Sequence, residues 1–276
     1  MLDTGLVNED TASLTGQPDQ PTTAPPPRSA PDTQELVELT GGRMTPGIVR
    51  DGDTVRRPST PASPFVASLL GLLEARGFDG APRYLRREGT TDVLTYMPGD
   101  VPARFRTWSN EQVAAAGALL RSLHDATRGS ALAGRHPVVC HHDPGPNNMT
   151  FRNGMPTAFI DFDTAAPGSA LEDIGYMAWT WCIAAKPTAP TVQKQAAQVR
   201  LLADAYRLDA AGRAALVDAI LERQIRNARF WAEQQPADHT GASASTFASR
   251  IQWSRLAHAF VHTHRRTFDQ ALNVSA

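Results

Sequence analysis

The chain has 276 residues, with 27 basic and 28 acidic residues and a formal net charge of −1. This balance argues against a nucleic-acid-binding protein, which would carry a basic excess or a basic stripe. Arginine accounts for 25 of the basic residues, and the two lysines are Lys186 and Lys194. A GxxxxGK[ST] phosphate-binding loop, which needs a lysine, is therefore excluded from the first two thirds of the chain.

Three further features exclude other classes of protein. The two cysteines, Cys140 and Cys182, are too few for a disulfide scaffold. No stretch reaches about 18 consecutive apolar residues, so a membrane span is not expected. The acidic N-terminus lacks the apolar segment of a signal peptide. We therefore expect a cytoplasmic protein with neither a membrane nor a nucleic acid as its partner.

Composition divides the chain into three parts. Residues 1–34 contain six prolines and few large apolar residues, so they cannot bury enough surface to offset the entropy lost on ordering. We expect a disordered, Pro-rich tail over 1–34, a β-rich N-terminal lobe over 35–97 and a mainly helical C-terminal lobe over 98–276.

The predicted elements of the N-terminal lobe alternate between strands and one helix. Residues 35–40 are predicted as a strand, 41–47 as a glycine-rich loop, and Asp51-Gly52 as a hairpin turn. Apolar residues at helical spacing predict a helix over 64–76. Two further strands are predicted over 83–87 and 92–97.

Helices dominate the predicted C-terminal lobe. Ser109, followed by Glu111 and Gln112, is typical of a helix N-terminus. A short apolar strand over 138–140 and a hairpin around Asn153-Gly154 come next. The remaining chain predicts helices over 171–184, 189–206, 210–235 and 244–271.

The segment VVCHHDPGPNNMTFRNGMPTAFIDFD, residues 138–163, carries the chemically informative residues. It places His141, Asp143, Asn148 and Asp161 between short apolar strands. Phosphoryl transfer uses one Asp to accept the proton of the attacking hydroxyl, and an Asn and a second Asp to hold Mg²⁺. The Asp-x4-Asn spacing puts a base and a metal ligand on one loop, and the hairpin returns the second Asp to it.

These motifs resemble the aminoglycoside phosphotransferase family, which is similar in fold to the protein kinases. The family pattern H-G-D-x4-N corresponds to residues 141–148, and I-D-[WF]-[ED] corresponds to residues 160–163. Residues 120–124 and 167–175 resemble two further segments, L-x-x-L-H and G-D-P-x-x-D-L-A. The resemblance implies a bilobal α+β fold, with a small antiparallel-sheet N-lobe carrying one helix and a mainly helical C-lobe.

The resemblance also implies roles, residue by residue. Its cofactors are ATP and Mg²⁺, and its substrate is a small molecule with a hydroxyl group. Asp143 corresponds to the catalytic base, His141 to a support of that loop, and Asp173 to a brace of the loop or a lining of the substrate cleft. The metal ligands would be Asn148 and Asp161, and the strand offering backbone groups to adenine would be Thr95 to Met97.

One family feature is missing from the N-terminal lobe. Kinase-like enzymes place a lysine on the third strand, paired with a helix glutamate. Here that strand ends in Arg56 and Arg57, and the only acid of the following helix is Glu74, near its end. Because strand side chains alternate, one arginine would face the nucleotide; we favour Arg56, with an exposed arginine pair as the alternative.

The sequence leaves the roles of several neighbouring residues undecided. Asp163 is equally consistent with a site residue and a solvent-exposed acid, and Asn147 is a second candidate for the metal-binding amide. For His142 we favour a surface position, and for Cys140 a buried, inert thiol. His258 and His262 have a spacing that could bind a metal, but a plain helix face is favoured because no other ligand type lies within a turn.

Charge and motifs together leave three functional hypotheses. Residues 98–276 contain 15 acids and 18 bases, which favours a neutral or anionic alcohol over a polycationic aminoglycoside. The first hypothesis is an active ATP- and Mg²⁺-dependent small-molecule O-phosphotransferase. The second is a nucleotide- or ligand-binding pseudokinase acting as an immunity or self-protection protein. The third is an interaction module that uses the Pro-rich tail.

Overall fold

The computed structural model describes residues 37–39, 47–103, 106–234 and 242–273; in the last range, side chains are described from residue 246 onward. The first part of the fold is an antiparallel sheet of five strands. The strands pair in the order β1-β2-β3-β5-β4. They are β1 Val37–Glu38, β2 Val49–Asp51, β3 Thr54–Pro58, β4 Tyr84–Glu88 and β5 Thr91–Thr95. The predicted tail and most of the predicted glycine-rich loop lie outside the described residues.

The predicted hairpin and helix of this lobe are present, but the turn lies at Gly52-Asp53, one residue later than predicted. Asp51 pairs with Thr54 across the turn, and Gly52 takes the positive φ of +58° that such a turn requires. Helix α1, Ser63–Ala75, connects β3 to β4 and buries Val66, Leu69, Leu70 and Leu73. A buried carboxylate, Asp92 on β5, accepts hydrogen bonds from Ser63 and Tyr84 and so ties α1 to the sheet.

Helices and two short antiparallel pairs of strands make up the rest of the fold. The strands β6 and β9 pair with each other, as do β7 and β8. The strands are β6 Val138–Cys140, β7 Met149–Arg152, β8 Met155–Phe159 and β9 Ala166–Gly168; the helices are α2 Asn110–Thr127, α3 Ala170–Met177, α4 Val192–Tyr206, α5 Ala210–Glu233, α6 Ala242–Thr263 and α7 Arg265–Asn273.

Two helix boundaries differ from the prediction. Residues 171–184 form α3 followed by a wider π-helical turn, Ala178–Cys182, and the single helix predicted over 244–271 is two helices that meet at His264. The break at His264 lets Phe268 and Leu272 of α7 bury themselves in the core. The N-terminus of α2 is as predicted, because Ser109 and Gln112 form a reciprocal capping box.

The link after β5 brings the sheet to the hairpin of β7 and β8. The backbone N–H groups of Asp100 and Phe151 donate to each other's carbonyl oxygens, at 2.9 and 2.8 Å. Gly99 permits this approach, because a Cβ there would lie 2.5 Å from the Phe151 carbonyl oxygen.

The lobe boundaries at residues 34 and 97 remain predictions. No helix among the described residues is long and apolar enough to cross a membrane.

A close helix crossing offers a test of the packing. A Cβ added at Gly175 on α3 would lie 2.9 Å from the Ala219 backbone on α5, so Gly175→Ala should lower the free energy of unfolding by about 1–3 kcal/mol. Gly71→Ala is the matched control, because that helical position on α1 has open space around it; it should gain up to about 1 kcal/mol. Urea unfolding of both variants measures the difference, and equal effects would contradict the crossing.

Candidate active site

The loop between β6 and β7 brings Asp143 and Asn148 into direct contact. The side-chain amide of Asn148 donates to Oδ2 of Asp143 at 2.7 Å and to the Asp143 carbonyl at 3.0 Å. Pro146–Asn148 forms a short 3₁₀ turn that reverses the chain and buries Asn148. The Asn147 amide donates to Asn148 Oδ1 at 2.9 Å. The predicted base and the predicted metal-binding amide are therefore one hydrogen-bonded unit.

Asp161 lies directly after β8 and next to this unit. The N–H of Ile160 donates to the Asn148 carbonyl at 2.9 Å, and Asp161 takes a left-handed conformation with φ 64°. Although part of its surface reaches solvent, desolvation by the surrounding protein and the charge of Asp163 raise the pKa of Asp161. The carboxylate of Asp161 and the side-chain carbonyl of Asn148 are oxygen ligands of the kind that Mg²⁺ prefers.

Asp173 is fully buried and accepts hydrogen bonds from three histidines. The N–H groups of His141 and His142 donate to its two oxygens at 2.6 and 2.7 Å, and Nε2 of His124 lies 3.0 Å from Oδ2. Burial by itself raises the pKa of Asp173, but the His124 hydrogen bond and the histidine charges outweigh it and lower the pKa to about 2. The geometry makes Asp173 a brace of the loop rather than a reacting group.

His141 packs under the loop and has no exposed surface. Its Nε2 donates to the Ile160 carbonyl at 3.0 Å, and its Nδ1 accepts from the N–H of Asp143 at 3.3 Å. Its ring centroid lies 4.7 Å from that of Phe162. Both ring nitrogens are occupied by backbone groups, so His141 positions Asp143 and the end of β8.

The contact between the loop and Arg223 was not predicted from the sequence. His142, where the family pattern has glycine, has φ 65°, the left-handed region that favours glycine. Its carbonyl oxygen accepts a 2.7 Å hydrogen bond from Arg223 of α5, and the Arg223 guanidinium lies 4.9 Å from the Tyr176 ring centroid. The only sequence signal for Arg223 is its place within the arginine-rich helices.

The structure places Arg57, not Arg56, at the acidic loop, which corrects the preference for Arg56. Arg57 is buried and forms an ion pair with Asp163, whereas the half-exposed Arg56 pairs with Glu88 and Asp51. The guanidinium Nε of Arg57 has no hydrogen-bond partner among the described residues. Asp163 thus connects Arg57 of β3 to the segment that carries Asp161.

Glu74 of α1 and the end of β5 have other partners. Glu74 lies 3.7 Å from Arg83 Nε. Thr95 donates its N–H to the Arg83 carbonyl at 3.0 Å, and Tyr96 donates to Asp53 at 2.7 Å. Met97 follows in the link to Asp100.

The chain is similar to known proteins over most of its length. Residues 85–216 match the Phosphotransferase enzyme family. The trifolitoxin immunity protein of Rhizobium leguminosarum bv. trifolii is 30% identical over 261 residues, which cover 86% of this chain and 98% of that protein.

Two solved structures have the same fold at low sequence identity. An amicoumacin kinase in complex with AMP-PNP and Ca²⁺ is 12% identical, with a TM-score of 0.60 over 83% of this chain and 89% of that one. A choline/ethanolamine kinase family protein from Mesorhizobium loti is 17% identical, with a TM-score of 0.55 over 89% and 95%.

The predicted α+β, bilobal protein-kinase-like fold is therefore confirmed. With the family match and the immunity protein considered together, the chain belongs to the phosphotransferase enzyme family.

Replacing Asp173 by Asn tests the brace. Because the pKa of about 2 lies below the ordinary value near 3.9, the charged Asp173 contributes stability above about pH 4, and this is lost as pH falls towards 2. Asp173→Asn should therefore cost about 3 kcal/mol at pH 7 and progressively less below pH 4. Urea unfolding against pH measures this, with the half-exposed Asp125→Asn as control. A pH-independent difference would contradict the charged brace.

Proposed function

We propose that this protein is an ATP- and Mg²⁺-dependent phosphotransferase that moves the γ-phosphate of ATP to a hydroxyl of a small molecule. The observation that carries the proposal is the convergence of Asp143, Asn148 and Asp161 at one loop and hairpin. Family membership supports the reaction class. We place the protein in the cytoplasm, where ATP is found and where its two free cysteines stay reduced.

In this proposal Asp143 receives the proton of the acceptor hydroxyl as that oxygen attacks phosphorus. His141 and Asn148 hold Asp143 in place through its N–H and its carboxylate, so the base needs little reorganisation. Asn148 and Asp161 would hold Mg²⁺, which neutralises charge on the phosphates. Asp173 takes no part in the chemistry and keeps the loop in position.

Arg57 would bind the phosphates in place of the missing lysine. Its planar guanidinium can engage phosphate with two donors, and its Nε has no hydrogen-bond partner among the described residues. Asp163 takes over the orienting role of the helix glutamate. At the other end of the nucleotide, adenine would meet the backbone from Thr95 to Met97, with the Met97 N–H as donor, because the N–H groups of Thr95 and Tyr96 are already used.

A small cavity beside the loop is our candidate for the acceptor site. It has a volume of about 160 Å³, and its lining includes Trp108, Trp181, Arg106 and Lys186. The indole N–H of Trp181 donates to the carbonyl of Pro144, the residue after Asp143, at 3.2 Å. Two aromatic rings and two cations suit an uncharged or anionic alcohol better than a polycation, as the lobe's charge also indicates.

Asp143→Asn tests the assigned base. It should reduce turnover by about 10²–10⁴-fold while Mg·ATP binding stays within a few-fold of the wild type. ADP release with a panel of alcohols measures turnover, and calorimetry measures binding. Asp125→Asn, an acid of similar size on α2, should match the wild type in both. Unchanged turnover in Asp143→Asn would contradict the mechanism.

The two arginines of β3 form a natural matched pair. Arg57→Gln should weaken Mg·ATP binding by roughly 10–100-fold, the worth of one or two hydrogen bonds to a charged group. Arg56→Gln should leave it within about twofold, because Arg56 faces Glu88. Calorimetric titration with Mg·ATP gives both affinities; equal, negligible effects would show that neither arginine binds phosphate.

The second candidate function is a ligand-binding immunity protein without turnover. The similarity to the trifolitoxin immunity protein favours it, as does the absence of the lysine–glutamate pair. The two candidates separate in one experiment: cells producing wild type or Asp143→Asn are challenged with a panel of toxic small molecules. Protection that needs Asp143 supports phosphorylation, and protection retained by Asp143→Asn supports sequestration.

A further inference from the structure

Three side chains of types that bind metals lie close together at the loop, and none of them is a proposed Mg²⁺ ligand. They are Cys140 at the end of β6, His142 on the loop and Glu172 in the first turn of α3. One ligand atom from each lies within 4.8 Å of the other two. A thiol, an imidazole and a carboxylate are the ligand types of zinc sites in proteins.

The three ligand atoms converge on one point above Gly168, the last residue of β9. A Cβ at Gly168 would lie 2.8 Å from Glu172 Oε1, 3.0 Å from Cys140 Sγ and 3.3 Å from His142 Nε2. A Cβ is one covalent bond from Cα, so an ion would lie further from the Gly168 backbone, among the three ligand atoms, and the missing Cβ keeps that space uncrowded. Zinc bonds are about 2.0–2.3 Å long, so the three side chains would close in around the ion.

The hydrogen bonds of His142 orient its lone pair towards this point. Nδ1 lies 3.1 Å from the Thr164 carbonyl, which accepts only, so Nδ1 carries the proton in the neutral ring. Nε2 is buried and has no hydrogen-bond partner in the described part of the chain, and its distance of 3.5 Å to Glu172 Oε2 is too long for a hydrogen bond. A histidine whose far nitrogen donates to a carbonyl is the arrangement found at metal sites.

A second grouping nearby has no such capacity. His124, Cys140 and Asp173 are also close together, but both ring nitrogens of His124 are hydrogen-bonded, to Tyr206 and to Asp173. Asp173 is saturated by donors from the loop. Of the two groupings, only the one containing His142 offers an uncommitted lone pair.

We propose that Cys140, His142 and Glu172 bind Zn²⁺ or a similar divalent transition-metal ion. Binding replaces the Cys140 thiol proton, which now faces the Ser169 carbonyl at 3.2 Å, and releases it to solvent. Glu172 turns from Arg226, which its Oε2 contacts at 2.6 Å, towards the ion, while its Oε1 keeps the 3.0 Å hydrogen bond from the Ser169 N–H. Since His142 immediately precedes Asp143, the bound ion clamps the loop, so this is a regulatory or stabilising site distinct from the Mg²⁺ ligands.

Cobalt is the probe for this site, because a cobalt–thiolate bond gives a charge-transfer absorption in the near ultraviolet. The full-length protein, freed of metal by a chelator and kept reduced, is titrated with Co²⁺ and then with Zn²⁺ against a chromophoric chelator. We expect one Co²⁺ per chain with the thiolate band, displaced by Zn²⁺.

The variants locate the ion. Cys140→Ser should abolish the band, and Cys182→Ser, which changes the only other cysteine, should retain it. His142→Gly restores the glycine of the family pattern at a positive φ, so this variant should fold. Because it removes a direct ligand, it should weaken Zn²⁺ binding by more than the roughly 10–100-fold that is lost when a hydrogen-bond partner of a ligand is removed. Gly168→Ala should also block binding while leaving all three ligands in place.

Each other outcome overturns the proposal. The proposal fails if no Co²⁺ binds at one per chain, or if the band persists in Cys140→Ser. It also fails if His262→Gln removes binding, because the ion would then lie at the His258–His262 pair, whose ring centroids are 6.2 Å apart. Circular dichroism of each variant shows that it is folded, and wild-type affinity in folded His142→Gly and Gly168→Ala would likewise refute the assignment.

Discussion

A carboxylate buried away from water must find hydrogen-bond donors, and Asp173 finds them in the backbone of the loop that carries Asp143. Two successive N–H groups pointing at one side chain require a sharp turn, and this turn holds His142 at positive φ. The position of Asp143, the proposed base, therefore follows from a residue 30 places further along the chain. His124 completes the arrangement from α2, so the core of the helical lobe and the geometry of the site are set by the same contact.

Spacing in the sequence predicts the site well where the contacts are local. The four residues between Asp143 and Asn148 leave room for one 3₁₀ turn, and the short hairpin that follows returns the chain to the same place. Both features depend on the number of residues between the groups, which the sequence gives directly. The helix start at Ser109 is equally local. By contrast, the sequence near His264 does not indicate a helix break, because no glycine or proline stands there. The break is explained by the burial of Phe268 and Leu272.

Contacts between distant residues could not be predicted in this way. Alternation along β3 says that one of two arginines faces inward, but which one depends on the register with β5, where Arg57 lies opposite the buried Asp92. The partner of Arg57 is 106 residues away, and Arg223 reaches His142 across 81 residues. In an arginine-rich chain these two buried guanidinium groups look the same as the exposed ones until the fold is known.

The ion pair between Arg57 and Asp163 has a thermodynamic consequence for the proposed reaction. In the proposed function a phosphate would meet the unpartnered Nε of Arg57 while Asp163 keeps the guanidinium oriented. The negative charge of the phosphate would raise the affinity of Asn148 and Asp161 for a cation. Because such coupling is reciprocal, the cation would raise the affinity for nucleotide by the same factor, so the two ligands would bind cooperatively.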